Sequence, residues 1–499
     1  MTTQQQALTD TTLMEKIKKT APWVVLVLLV YLLINGYMIL RLGLHQDEVY
    51  DFRGEETGLY AAAGRWGIVL WRYMFGEGAC LYAAGITAGI CTAVTVVWQT
   101  ELLRLQGTFS KLIYCAFYLG CTQYAYMHQY AFLSDACAAS LLVVTAAIWL
   151  LTQQGKAAII GSILCTAFAL GTYQATCFYF GALWLAVELQ MQLQAQGHKG
   201  LLRRFGKLAV VSLSAIVLWW GIKQLTMQLP IVTDEHIRYA TGYQQKLTGW
   251  SAFLQGDFAD KLSTVAHIFR YIFWSQLGRI YTGQWVYATA IIPLVLISVH
   301  IWKSKTGTSV ILRYVLLLAL WVLPHCLIII LLQQQPPRTL LAEPIAVATL
   351  WALSAPLFPD FAKKVFFLFA PFMLMKAAYI TSDKAKIEAL EHDICVAELR
   401  TIRTQATALS TQAGLPPDST IILCGEPDFP SKDNAPQLRS LYLLKYYLKT
   451  YKLSRMRIAT PTELSENADI LRQMPAWPAT GSVQHNQRDV IIKLGNGGL

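Results

Sequence analysis

The sequence predicts a polytopic α-helical membrane protein of about eleven spans, followed by a small C-terminal α/β domain. Three observations lead there. Apolar residues make up 55% of the 499 and charged residues only 14%, against about 25% charged in soluble domains. Apolar runs close to the ~17–25 residues of a bilayer-crossing helix recur along the chain. Basic residues gather in every second connection between those runs. The mean hydropathy of +0.40 agrees. A soluble fold lacks the residues here for its solvated shell, and the apolar content excludes disorder. The ten cysteines are scattered through a long chain, which excludes a small disulfide scaffold.

The net charge of +11 and pI near 9.1 raise the question of nucleic acid. The basic residues lie between apolar runs, however, so they read as an orientation code and no nucleic-acid partner is expected.

Taken in order, Met1 to Thr20 is polar and carries Lys16, Lys18 and Lys19, and Ala21 to Leu40 is the first span. No small-residue cleavage site follows it, so a retained anchor is expected. Further runs lie at 79–103, 111–127, 132–151, 157–172, 175–193, 208–225, 285–302, 314–332, 339–357 and 365–380. The shortest, 157–172, ends in the tight connection Gly171-Thr172-Tyr173-Gln174. With the N-terminus cytoplasmic, the inner loops hold Arg104 and Lys111, then Lys156, then Lys199, Arg203, Arg204 and Lys207, then Lys303, Lys305 and Arg313, then Lys363 and Lys364. The short outward loops 129–132 and 171–174 hold no Lys or Arg. The expected domains are a membrane domain, 1–380, and an extracytoplasmic α/β domain, 381–499. The latter opens with a helix from Asp383 to about Leu409. Strands are expected at Thr420–Cys424, Met456–Ala459 and Val490–Lys493, with a helix at about Ala435–Lys449 and another from Thr462. Cys395 and Cys424 are its only cysteines, and pairing and two buried thiols are both open.

The first outward segment concentrates the chemistry. Asp47 and Glu48 follow the first span directly, with Asp51, Arg53, Arg65, Trp66 and Arg72 close behind. Acidic groups at membrane depth usually face a cavity or a partner, and such a carboxylate can act as general base toward a hydroxyl. Arginines nearby can hold a phosphate by charge-assisted bonds. Arg338, in the outward loop Gln333 to Thr339, is that loop's only charge and runs against the orientation code. His128-Gln129, Asp135, Tyr173 and Gln174 share the outward depth, the last two as hydrogen-bond donors to a sugar. A stretch at 258–276 has the pattern of an interfacial amphipathic helix. No Walker A, dinucleotide fingerprint, H-E-x-x-H or C-x-x-C is present, and the histidines are dispersed. No metal and no cofactor are therefore expected.

The order of Asp47-Glu48 after the first span, Gly64-Arg65-Trp66, Gly171-Thr172-Tyr173-Gln174-Ala175, and Pro337-Arg338 before the tenth span resembles a known family. It is similar to bacterial membrane glucosyltransferases of the O-antigen-modifying Gtr type, of the GT-C fold class. The resemblance implies a multi-pass enzyme of the inner membrane. Such an enzyme moves a sugar, glucose in this family, from an undecaprenyl-phosphate carrier to an extracytoplasmic glycan such as O-antigen. It implies Asp47 as the base, Glu48 orienting acceptor or base, and Arg338 with Arg65 on the phosphate; Asp51 stays open as an alternative base. The competing expectation is a lipid-linked glycan flippase or other transporter. It needs ionisable residues at several depths, whereas the span interiors look nearly free of them.

Overall fold

The computed structural model describes residues 13–40, 57–75, 81–121, 131–194, 200–246, 258–270, 284–303, 307–331, 339–416, 419–425, 455–486 and 488–495. The chain divides into two units. Among the described residues the first holds 13–40 and 57–383, and the second 384–495.

The first unit is helical. It contains α1 (Leu13–Leu40), α2 (Thr57–Ala62), α3 (Trp66–Phe75), α4 (Leu81–Leu102), α5 (Gly107–Gly120), α6 (Ala131–Thr152), α7 (Lys156–Thr172), α8 (Thr176–Leu193) and α9 (Leu201–Thr226). There follow α10 (Asp234–Lys246), α11 (Phe258–Arg270), α12 (Gln284–Thr289), α13 (Ile291–Lys303), α14 (Gly307–Val322), α15 (Cys326–Leu331), α16 (Glu343–Ser354) and α17 (Asp360–Gln412). α17 continues past Asp383 into the second unit.

Among the described residues, seven helical stretches are long and apolar enough to cross a membrane: Lys18–Leu40, Tyr82–Leu102, Leu133–Thr152, Leu201–Thr226, Val286–Lys303, Val310–Ile330 and Asp360–Asp383. The expected count of about eleven is therefore not reached on this measure. The other expected runs fall on α5, α7, α8 and α16. α7 and Glu343–Leu357 are apolar but shorter, α5 has 14 residues, and α8 carries Glu188, Gln190 and Gln192 near its end. The reason lies in packing. α16 is buried along almost its whole length, as is most of α5 and α8. A helix that is apolar all round can be enclosed by protein as well as by lipid. α9 shows the contrast, with only 11% of its apolar window buried.

The core has a polar centre. The Gln99 side chain on α4 donates to Thr145 Oγ1 of α6 at 3.0 Å and to Tyr179 Oη of α8 at 2.7 Å. Its carbonyl accepts from Tyr114 Oη of α5 at 2.8 Å. Tyr118 and Tyr179 share a further bond of 2.6 Å. All five side chains are buried. Phe117 of α5 stacks on Trp351 of α16, centroids 4.5 Å apart, beside this network.

The second unit holds β1 (Ile421–Cys424), β2 (Met456–Ile458), α18 (Pro461–Glu466), α19 (Ala468–Gln473), β3 (Val483–His485) and β4 (Val490–Lys493). The sheet order is β2-β1-β4-β3. β1 pairs in parallel with β2 and β4, and β3 runs antiparallel to β4. The two central strands are wholly buried, as expected where both faces are covered. β3 was not expected; three residues, Val483-Gln484-His485, give no alternation to read. The helix expected at 435–449 lies outside the described residues. α18 opens with a capping box, Thr460 and Glu463 serving each other's backbone N–H. Glu463 also pairs with Arg457, and the two contacts hold its carboxyl down to about 2. Cys424 is a free thiol that burial pushes up to about 11; the side chain of Cys395 lies outside the described residues.

Replacing Gln99 by Leu should remove three buried hydrogen bonds at once, those with Tyr114, Thr145 and Tyr179, at a cost of about 0.5–1.5 kcal/mol each, while Tyr179 keeps Tyr118 and Thr145 keeps Leu141 O. The expected outcome is a clearly lower thermal unfolding midpoint of the detergent-purified protein, read by intrinsic fluorescence.

Candidate active-site loop

α2 ends in a Schellman motif. Arg65 N donates to Tyr60 O at 2.7 Å and Gly64 N to Ala61 O at 3.1 Å. Gly64 has φ of +76°, a conformation that favours glycine. The motif turns the chain so that Arg65 and Trp66 open α3. The two carbonyls of the turn are held from different helices. Gln174 Nε2, between α7 and α8, donates to Ala63 O at 3.1 Å. Trp219 Nε1 of α9 donates to Gly64 O at 2.9 Å.

The start of α3 lies directly on the end of α7. A Cβ on Gly171 would sit 2.4 Å from the Trp66 ring, and one on Gly67 would sit 2.5 Å from Thr172 Oγ1. Both positions therefore need glycine for the backbones to approach. Trp66 is buried edge-on to Phe168, centroids 6.2 Å apart. Its indole N–H has no hydrogen-bond partner among the described residues. Arg65 lies over the Tyr173 ring at 5.5 Å.

One turn further along α3, Trp71 Nε1 donates to Asp135 Oδ2 at 2.9 Å, while Asp135 Oδ1 accepts from Ala136 N at 2.7 Å. Arg72 is buried over the Tyr60 ring at 4.8 Å and acts electrostatically on Asp135. The seat thus brings two guanidinium groups, one carboxylate and six aromatic side chains to one end of α6, α7 and α9.

Four of the sequence-derived site residues, Arg65, Trp66, Tyr173 and Gln174, meet here, with Asp135 beside them. The Gln174 amide is engaged in holding the loop. Asp47, Glu48, Asp51, Arg53, Arg338, His128 and Gln129 lie outside the described residues. The sequence did not reveal the glycine pair, the Trp71–Asp135 bond or Trp219.

A second buried pair was also missed. His325 Nε2 and Glu343 Oε1 are 3.1 Å apart, with side chains 1% and 0% exposed. The His325 ring lies against Tyr287 and Phe269, centroids 4.5 and 5.2 Å away. Ile268 of α11 packs with Ile328 and Leu340 in the same region. The expected amphipathic helix is therefore docked through Ile268 while Leu262 stays exposed. With Glu188 also buried, the apolar runs are less free of ionisable groups than their composition suggests. Each such group sits singly inside an apolar run, where a window average hides it.

Substituting Gly171 by Ala should force Trp66 from its place. Overpacking of this kind costs about 1–3 kcal/mol. The expected outcome is faster hydrogen exchange across 57–75 in the detergent-purified protein, with exchange in 421–424 and 490–493 unchanged.

No curated protein and no solved structure matches the chain. The family profile described as Glucosyl transferase GtrII does match, over residues 42–355. That stretch begins two residues after the first apolar helix and takes in the α2–α3 turn, the Tyr173-Gln174 connection and the Glu343 pair. With more than half of its length matched, this membrane-embedded chain belongs to the GtrII glucosyl transferase family of glycosyltransferases.

Proposed function

We propose that the protein transfers a single sugar, glucose, from a polyprenyl-phosphate carrier to an extracytoplasmic glycan such as O-antigen. The observation that carries this reading is the seating of the α2–α3 loop. Its two turn carbonyls are clamped by Gln174 and Trp219, and the clamp sets Arg65, Trp66 and Tyr173 together. The acidic segment with Asp47 and Glu48 runs in sequence between α1 and this seat, inside the family match.

In this reading the Asp47 carboxylate takes the proton of the acceptor hydroxyl as its oxygen attacks the anomeric carbon. The bond from that carbon to the carrier phosphate breaks, and the phosphate leaves with the electron pair. Attack from the face opposite the leaving group inverts the anomeric centre. Arg338 and Arg65 neutralise the charge growing on the phosphate. Glu48 orients the acceptor, with Asp51 as the other candidate base. Tyr173 offers aromatic surface to the sugar, and Trp66, the other aromatic candidate, is packed against Gly171; Gln174 and Arg53 complete the polar lining.

In this reading residues 1–380 form the catalytic membrane domain, in a bacterial inner membrane with the N-terminus cytoplasmic. Residues 381–499 lie outside. The number of crossings is about eleven if α5, α7, α8 and α16 pass the bilayer enclosed by their neighbours. A lipid-linked glycan flippase would share the spans and the buried His325–Glu343 pair, but family membership favours transfer.

Purified protein supplied with a defined polyprenyl-phosphate glucose and an acceptor glycan tests the reading. Asp47→Asn should lower the transfer rate by about 10²–10⁴-fold without reducing the amount of protein in the membrane. Near-normal transfer by that variant removes Asp47 from the role. Arg338→Ala should raise the KM for the lipid donor by about tenfold or more, as expected for loss of a charge-assisted contact, and leave the acceptor KM unchanged. An equal effect on both would count against a phosphate contact.

A further inference from the structure

At the opposite end of the same helices lies a cavity of about 520 Å³, within the size range of small-ligand sites. The 17 residues of α7 place it roughly 25 Å from the Tyr173-Gln174 turn. It is formed where the ends of α4, α6, α8 and α9 come together, the end from which the basic connections project. Arg104, Arg203, Arg204 and Lys207 line it, against two carboxylates, Glu101 and Glu188.

Both carboxylates are already taken. Glu188, 1% exposed, receives a two-pronged contact from Arg204, with Nε to Oε2 at 2.8 Å and Nη2 to Oε1 at 2.7 Å. Gln192 Nε2 adds a third bond to Oε1 at 2.7 Å. Glu101 pairs with Lys111 from α5. The lining therefore presents a positive balance, and Lys207 is steadied at its edge by a 3.2 Å bond to Gln153 O. Arg104 keeps a left-handed backbone, φ +49°, at a helix end where glycine is the usual occupant.

Tryptophan marks the depth of the cavity. Trp98, Trp149 and Trp184 line it, and Trp149, 41% exposed, lies 5.9 Å from Trp98 by ring centroid. Tryptophan with Arg and Lys is the composition of a membrane–water interface. A basic pocket between helices at that level suits an anionic headgroup.

We propose that this cavity is a binding site for a phosphate-bearing anionic group, distinct from the α2–α3 seat, with Arg203 and Lys207 as its principal contacts. The source is either a lipid headgroup entering past Trp149 or a soluble phosphate. It holds whether or not the chain transfers a sugar.

Native mass spectrometry of the full-length protein, with equal amounts of dioleoyl phosphatidylglycerol and dioleoyl phosphatidylcholine, reads the lipid source. A thermal shift with inorganic phosphate, against chloride at equal ionic strength, reads the soluble one. Phosphatidylglycerol should be retained over phosphatidylcholine, and the preference should fall by about thirtyfold in the Arg203→Ala/Lys207→Ala double variant, each cation contributing about 1 kcal/mol. The charge-preserving Arg203→Lys/Lys207→Arg variant should keep it, which separates binding from misfolding. Phosphate stabilisation lost in the alanine variant, with no lipid preference, assigns the soluble source. Equal retention of both lipids together with no phosphate stabilisation overturns the site, as does a preference that the alanine variant leaves intact.

Discussion

The constraint on which the membrane unit depends is that a polar group inside it must find its partners inside it. Gln99 meets that constraint most fully. Its amide gives both hydrogens and takes one, joining α4, α5, α6 and α8 through Thr145, Tyr179 and Tyr114. A slide of any of these helices by one residue would strand several buried hydroxyls in a medium without water to replace the lost bonds. The network therefore sets helix register as well as helix contact. Register then sets both ends of the bundle. Trp98 and Glu101, beside Gln99 on α4, line the basic cavity. Tyr179 lies a turn and a half beyond the Tyr173-Gln174 connection that holds the α2–α3 loop.

That loop is fixed through its backbone more than through its side chains. The carbonyls of Ala63 and Gly64 are the anchored atoms, and Gly67 and Gly171 let two helix backbones touch. Arg65 and Trp66 are placed as a consequence. Such a construction holds the chain beneath Arg65 in place, which is what a preorganised site requires. The acidic segment ahead of it is bounded on one side by α1, packed on α4, and on the other by the clamped α2. Both of its flanks are thereby fixed.

The sequence made the class of fold and the tail's three main strands legible, and it singled out Arg65, Trp66, Tyr173 and Gln174 without pairing them. The first rests on scarcity of charge and on run length. The last rests on short polar interruptions in long apolar stretches, where a polar residue has few reasons to be present other than a partner. What it hid has a common cause. Trp71–Asp135, Trp219–Gly64 and His325–Glu343 each join residues far apart in the chain, and no periodicity encodes such a pair. β3 is too short for its alternation to register. Gly171 is a turn residue in sequence but a contact surface in the fold.

The same reasoning bears on how apolar runs should be counted. α16 and α9 are both rich in apolar residues, α9 carrying Arg203, Arg204, Lys207 and Lys223 besides, yet the first is enclosed and the second presents most of its surface outward. Enclosure relaxes the demand for length, because neighbouring protein can shield the ends of a short helix. It also relaxes the demand for purity. Glu188 ends α8 inside the protein, where Arg204 and Gln192 satisfy it. Glu343 begins α16 against His325. Neither would be tolerated alone against lipid tails. The charge that depresses the apolar score of α8 is thus one that its enclosure permits, as the short lengths of α5 and α16 are.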